Sequence, residues 1–277
     1  MKGSIKMPEL PEMENYKIQL SHHILDKKIT KVVVNRQKSI NISVEQFETE
    51  LLDRHVIFVE RRGKHLIFHL DNGRRLVLHL MLGGLLYLGS DEDRLDRTTQ
   101  IEISFGDKVL FFIGLRLGYL HLLTAKEIDE KFGHLGPEPL HSKMTEAKFI
   151  KLISSRKGSI KTTLTNQDVI AGIGNCYVDE IAYEAKLRPS VKIQNLNEED
   201  LRVLYHAMRK VLIKATQAGG YMESAFMRGD TLTGGSNDLC VVYDEEGSVC
   251  PRCGDTIVKG EINGKKMFYS PGCQHDK

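Results

Sequence analysis

The sequence predicts an α+β protein: an N-terminal antiparallel β-sandwich with a leading helix, followed by a helical domain that ends in a cysteine-bearing β-hairpin. Three patterns carry this. From Ile29 to about Leu123, short Val/Ile/Leu/Phe runs alternate with turn signals, as in a stack of hairpins. Thr145–Ser155 and Leu201–Ala218 switch to helical apolar spacing. Cys240–Cys273 reads as two short strands around cysteine pairs. The chain has 277 residues, long for one core, and 41% of them are hydrophobic, enough to fill two.

Taken in order, Met1–Lys6 lacks the apolar stretch of a signal peptide and reads as an extension. Leu10–Leu25 has helical spacing and follows a proline-rich start, where a first helical turn tolerates proline. Strands are expected at Lys31–Asn35, Val56–Glu60 and His65–Leu70, and Asp71-Asn72-Gly73 then turns the chain into Arg75–Leu80. Leu85–Leu88, Gln100–Phe105 and Lys108–Phe112 continue the pattern, the last two joined at Gly106-Asp107. Leu135-Gly136-Pro137-Glu138-Pro139-Leu140 is a rigid, punctuated stretch and marks the expected boundary. The domains are therefore set at 1–6 (extension), 7–134 (sandwich), 135–239 (helical) and 240–277 (hairpin). Gly219–Asn237 is glycine-rich and expected to be mobile.

Composition narrows the function only a little. Net charge is +2, from 39 basic against 37 acidic residues, so charge alone does not announce a nucleic-acid binder. Basic residues cluster at Lys27-Lys28, Arg61-Arg62-Gly63-Lys64, Arg74-Arg75 and Lys265-Lys266, each of which also suits a solvated face. Apolar stretches are too short to span a membrane. Five cysteines, three of them near the C-terminus, suit a reducing cytoplasm and a metal site better than a disulfide frame.

In Gln167–Glu180, Gly172 and Gly174 flank Ile173 between helical segments. A helix starting at Asn175 offers unpaired N–H groups to an anion such as a DNA phosphate, although the same pattern also serves as a helix–turn–helix packing corner. Cys250-x2-Cys253 is a zinc-knuckle spacing. Cys176 and Cys240 read as core thiols.

The Gln167–Glu180 segment resembles the helix–two-turn–helix of the formamidopyrimidine-DNA glycosylase/endonuclease VIII family. Pro8-Glu9-Leu10-Pro11-Glu12, Arg62-Gly63-Lys64 in a strand, Leu135–Leu140 and the C-terminal cysteine finger fall in the same family order, from Met7 to Gln274. The resemblance implies a DNA base-excision repair glycosylase with AP lyase activity on oxidised bases, acting as a monomer on double-stranded DNA with damaged bases or abasic sites. It implies that Pro8, freed as an N-terminal secondary amine, attacks the sugar C1′ of an extruded nucleotide and passes through an iminium linkage. Glu9 matches the adjacent acid/base, and Lys64 the strand lysine that acts at phosphate and in β-elimination. Asn175 matches the phosphate-binding residue, Lys161 its basic neighbour, and Lys157 and Gln100 further DNA-binding positions. Without the resemblance, Pro8 is only a helix-start proline, Glu9 a helix-dipole acid and Lys64 an edge-strand charge.

Several positions depart from the family pattern. The finger tip carries Lys265 where an arginine is usual, which keeps the charge and loses the bidentate fork. Leu82, after His79-Leu80-Met81, stands at the position that fills the void left by the flipped base, with Met81 as the alternative wedge. Leu115 and Leu117 replace an arginine and a phenylalanine, and Leu115 has no hydrogen bond to give an orphaned base. The implied zinc ion would be held by Cys250, Cys253 and Cys273, with Ser270 standing in place of a fourth cysteine and His275 the nearest replacement ligand.

Met1–Lys6 precedes Met7-Pro8, and a peptide bond at Pro8 removes its lone pair. Lys2-Gly3 is compatible with a purine-rich ribosome-binding string, so translation is expected to begin at Met7. The competing function is a catalytically silent binder of damaged or abasic DNA, favoured by the altered Leu115, Leu117, Lys265 and Ser270. A ribosomal zinc-ribbon protein leaves the strand-rich first domain and the Pro-Glu start without a role.

Overall fold

The computed structural model describes residues 7–277; the extension 1–6 and its expected start signal lie outside them. The chain folds into two compact units. One takes the chain up to His134 together with Ala218–Gly235, and the other takes Leu135–Gln217 with Ser236–Lys277.

In the first unit, α1 (Leu10–His23) opens on Glu9 with Pro11 in its first turn, and buries Leu10, Met13, Tyr16 and Leu20. Then follow β1 (Lys31–Val34), α2 (Val44–Leu51), β2 (Val56–Arg62), β3 (His65–Leu70), β4 (Arg75–His79), β5 (Leu85–Gly89), β6 (Thr99–Phe105), β7 (Lys108–Ile113), β8 (Tyr119–Leu123) and α3 (Ala125–Phe132). They form two four-stranded antiparallel sheets, ordered β1-β6-β7-β5 and β2-β3-β4-β8. Alternate residues of both sheets, among them Leu66, Phe68, Leu76, Leu78, Leu110 and Phe112, share one core with α1.

Three of these elements, α2, β8 and α3, lie outside the expected pattern. Helix α2 is capped by Ser43, whose hydroxyl accepts from Gln46 N at 3.2 Å, and it buries only Phe47 and Leu51. Strand β8 completes the second sheet with Leu120 and Leu122 inward.

The glycine-rich Ala218–Gly235 segment, expected with the helical domain and expected to be loose, belongs to the sandwich and is tied down. Phe226 is fully buried against Tyr16, with ring centres 5.8 Å apart, and its carbonyl accepts from Leu88 N at 2.7 Å. Gly220, at φ +72°, passes so close to Glu12 that a Cβ would meet its backbone at 2.9 Å.

The second unit contains α4 (Glu146–Ile153), α5 (Ile160–Leu164), α6 (Asn175–Glu184), α7 (Glu198–Gln217) and the hairpin β9 (Val258–Ile262) and β10 (Lys265–Tyr269). Its core gathers Phe149, Ile160, Ile173, Val178, Ile181, Leu204 and Met208. A small satellite cluster under the hairpin contains Tyr183, Val242, Ile257 and Phe268. Among the described residues, no helix is long and apolar enough to cross a membrane.

Candidate active site and nucleic-acid interface

Pro8 is buried just ahead of α1 and lines a cleft with Gly83, Gly84, Leu85, Arg97, Tyr221 and Glu223. Glu9 is buried beside it as the helix N-cap. Glu12, to which the sequence analysis assigned no function, holds this corner. Its Oε2 accepts from Glu9 N and its Oε1 from Tyr221 N, both at 2.7 Å. The spacing of Glu9 and Glu12 is that of a capping box, which was the available signal. One buried carboxylate thus fixes the backbone of the Pro8-Glu9 start and the neighbouring glycine-rich segment together.

Lys64 stands in the two-residue turn between β2 and β3, not within a strand as expected. Gly63, at φ +56°, takes the first turn position, which two-residue hairpins favour for glycine. Arg61 braces the turn: its Nη1 donates to the Gly63 carbonyl at 3.1 Å and its Nε to Glu14 at 2.7 Å. Behind Lys64 the register of β3, β4 and β8 places His65, His79 and Tyr119 side by side, with His121 next to Tyr119. The rings touch in sequence: His65 and His79 are tilted to each other with centres 4.3 Å apart, and Tyr119 stacks on His121 at 4.2 Å. Tyr119 Oη meets His65 Nε2 at 3.1 Å, and the Lys131 ammonium lies 4.7 Å from the Tyr119 ring centre. Burial, then the Lys64 and Lys131 charges, pushes His79 down to about 4. Burial and Lys131 bring His121 to about 4, and burial and His79 hold His65 well below its ordinary value. These imidazoles are neutral at physiological pH. The alternation of His65, His79 and His121 with core residues was readable in the sequence, but its function reading made no use of it.

Leu82 and Leu117 project from loops of the same unit, 47% and 66% exposed. Leu115 is fully buried. Gln100, expected on DNA, is buried and turned inward: its Oε1 accepts from Leu115 N at 2.8 Å. It shapes the loop that leads to Leu117.

In the second unit, α5, the turn from Thr165 to Gly174 and α6 form the helix pair. Gln167 ties the turn, donating to the Ile173 carbonyl and accepting from Gly172 N, both at 2.8 Å. Asn175 is the first residue of α6 and is exposed, as is Lys157. Lys265, at the start of β10, donates to Thr165 Oγ1 at 3.1 Å, which brings the finger tip against the turn of the helix pair. Lys161 is different from the expectation. Its side chain is 0% exposed and its ammonium sits 2.7 Å from Asp179, so it is not presented to a phosphate. Asp179 also accepts from Phe268 N at 2.9 Å, joining α5, α6 and the hairpin. Burial, opposed by Lys161, lifts the Asp179 carboxyl to about 7.

Cys250, Cys253 and Cys273 converge, with their sulfurs all within 4.8 Å of one another. Cys250 and Cys273 lie 3.7 Å apart. The fourth corner is taken by Ser270, fully buried, with Oγ 3.1 Å from Cys253 Sγ. His275 does not replace it. It is exposed, and its backbone bonds to Lys186 O and Arg188 N carry it away from the thiols. Burial raises the Cys250 thiol, but hydrogen bonds from Ser270, Tyr183 and the Arg252 and Cys253 amides outweigh it and bring it to about 6. Burial and the neighbouring thiols raise Cys273. Three thiols and one hydroxyl oxygen are a donor set that fits a metal ion with a taste for sulfur.

A two-sheet unit led by a capped helix, joined to a helix–two-turn–helix unit with a thiol-bearing hairpin, defines the class of DNA-repair glycosylases built on that helix pair. The family profile described as formamidopyrimidine-DNA glycosylase N-terminal domain matches residues 7–119, and the formamidopyrimidine-DNA glycosylase H2TH domain matches residues 135–226. The formamidopyrimidine-DNA glycosylase of Carboxydothermus hydrogenoformans is 32% identical over 269 residues, covering 97% of this chain and 100% of the relative. That of Pelotomaculum thermopropionicum is 33% identical over 276 residues, covering 98% and 100%. Among solved structures, Lactococcus lactis Fpg bound to abasic-site DNA superposes with TM-score 0.89 at 28% identity, covering 96% of this chain and 99% of that one. The wild-type Lactococcus lactis protein with DNA containing N7-benzyl-Fapy-dG gives 0.89 at 29%, covering 97% and 100%. The chain belongs to the formamidopyrimidine-DNA glycosylase family.

Proposed function

We propose that the chain is a base-excision repair glycosylase with AP lyase activity, acting on oxidised bases and abasic sites in double-stranded DNA. Family membership over nearly the whole chain supports the activity class. The observation that carries the catalytic assignment is the Pro8-Glu9 start held at a cleft by Glu12. As a free N-terminal amine, the Pro8 nitrogen attacks the sugar C1′ while the bond to the damaged base breaks. The resulting iminium then eliminates to cut the strand. Glu9 moves the protons that open the sugar ring. Lys64, projected on its turn, acts at the phosphate and in the elimination. Asn175, Lys157 and Lys265 hold the backbone, and Leu82 wedges into the stack. Lys161 and Gln100 serve from within: the first organises Asp179 and the hairpin, the second the Leu117 loop.

The metal belongs to the same proposal. Cys250, Cys253 and Cys273 hold a zinc ion, with the Ser270 oxygen in the fourth position. When bound, zinc supplies a cross-link that a hairpin this small needs.

Borohydride trapping on abasic-site DNA tests the chemistry, with protein whose first residue has been sequenced as Pro8. A covalent adduct is expected, and Pro8→Gly should weaken or redirect it. A chain proven to begin at Pro8 that never traps, yet binds abasic DNA, is instead the silent binder. That second reading is favoured by Leu115, Leu117, Lys265 and Ser270, which depart from the family pattern.

A further inference from the structure

The mechanism leaves two cysteines unused. Cys176 is the second residue of α6, buried, and Cys240 lies far along the chain just after the glycine-rich segment. Their sulfurs are 3.9 Å apart, and no bond joins them. Cys240 is only half-buried. It lines a cleft with Tyr177, Glu184, Lys210 and Lys214, and so faces solvent while Cys176 sits behind it. The backbone around Cys240 is already fixed. Glu180 on α6 accepts from Val241 N at 3.0 Å, Val242 N at 2.9 Å and Tyr243 N at 2.8 Å, so the segment is pinned one turn along the helix from Cys176. These thiols are separate from the finger cluster, which contains Cys250, Cys253 and Cys273 alone.

We propose that Cys176 and Cys240 form a peroxide-reactive dithiol that closes reversibly into a disulfide. A neighbour already within 3.9 Å makes the second thiol an intramolecular resolving group. The Cys240 thiol gives up its proton and its sulfur attacks one oxygen of hydrogen peroxide; the O–O bond breaks, a sulfenic acid forms, and the departing hydroxide takes that proton and leaves as the first water. The Cys176 sulfur then attacks the Cys240 sulfur, forming the S–S bond and releasing the second water. Two thiols lose two electrons and their two protons; one peroxide is reduced to two waters. An external dithiol restores both groups. The disulfide staples the segment after Ser236 to the start of α6, directly beside Asn175.

The test uses the full chain treated with about one equivalent of hydrogen peroxide, alkylated with N-ethylmaleimide and digested without reductant. Mass spectrometry should find the peptides of Cys176 and Cys240 linked, with loss of two hydrogens, and dithiothreitol should separate them. In Cys240→Ser, whose folding is checked by its melting temperature, Cys176 should stay reduced under the same dose because the half-buried thiol that meets peroxide first is gone. Three outcomes overturn the proposal: both thiols alkylated after treatment, separate sulfinic acids in place of a link, or oxidation of Cys176 at an unchanged rate in Cys240→Ser.

Discussion

The Lys161 ammonium lies 2.7 Å from the Asp179 carboxylate with both side chains wholly buried, so a lysine that reads as a DNA contact is spent inside the fold. A buried ion pair stripped of one partner leaves a charge without solvent or counter-ion, which costs about 3–5 kcal/mol. Lys161→Met should therefore lower the stability of the helical unit by roughly that much, measured by urea unfolding. It should leave the salt dependence of DNA binding by the folded fraction unchanged. A lowered salt slope with intact stability would return Lys161 to the phosphate backbone.

Glu12 acts at one remove from the chemistry. Removing its carboxylate takes an acceptor away from Glu9 N and from Tyr221 N, at about 1–3 kcal/mol. Glu12→Ala should thus melt earlier, and base excision in single-turnover assays should fall further than affinity for abasic DNA. Glu12→Gln keeps an acceptor oxygen and should recover part of both losses. If excision and binding fall in step, Glu12 serves general stability and does not position the start.

The strands were legible because short apolar runs are set off by turn residues, and β3 has the expected bounds, His65–Leu70. Strand β8 escaped because Gly114, Arg116 and Gly118 break the run before it, although Tyr119-Leu120-His121-Leu122 alternates correctly. The site divides in the same physical way. Pro8 and Glu9 could be recognised because chain order alone puts them beside each other. Lys161, Gln100 and Ser270 owe their settings to partners distant in sequence: Asp179, Leu115 and Cys253. Nearness along the chain made His275 the nearest candidate for a fourth ligand, yet the backbone after Ser270 turns it toward Lys186 while Ser270 itself faces the thiols.

The histidine array makes the first unit sensitive to acid. His79 and His121 sit near 4 in the fold against 6.5 for the free side chain, so the unfolded chain binds protons first as pH falls. Their contribution is complete above about pH 6.5 and is lost as pH falls toward about 4, with His65 acting in the same direction. Melting temperature should drop across that window at fixed ionic strength. His79→Leu should flatten the drop, since the groups facing it, Lys64, Lys131, His65 and Tyr119, are unchanged. A variant with the full wild-type slope would remove His79 from the account, because carboxylates such as Glu14 and Glu60 titrate in acid too.

In the proposed zinc site, Ser270 decides how strongly the metal is held. The thiols of Cys250, Cys253 and Cys273 are already gathered, and the Ser270 hydroxyl occupies the remaining corner as a neutral oxygen, a weaker partner for zinc than a thiolate. Protein purified without chelator should carry close to one zinc per chain, released by a chelator more readily than from the Ser270→Cys variant. Metal binding to a small hairpin is folding free energy, so that variant should gain zinc affinity and melting temperature together. The hairpin has a second anchorage that limits the loss on metal removal. Arg252 donates to the Tyr183 carbonyl at 2.7 Å with its guanidinium carbon 3.9 Å from the ring centre, and Phe268 is buried with its amide on Asp179. The metal-free protein should therefore melt earlier without the helical unit unfolding at once. His275→Ala supplies the contrast: its side chain lies outside the thiol group, so zinc content should be unchanged. Loss of zinc in His275→Ala would show that the imidazole swings in to complete the site. Near-zero zinc in both the wild type and Ser270→Cys would mean that packing alone, through Asp179 and Tyr183, holds the hairpin.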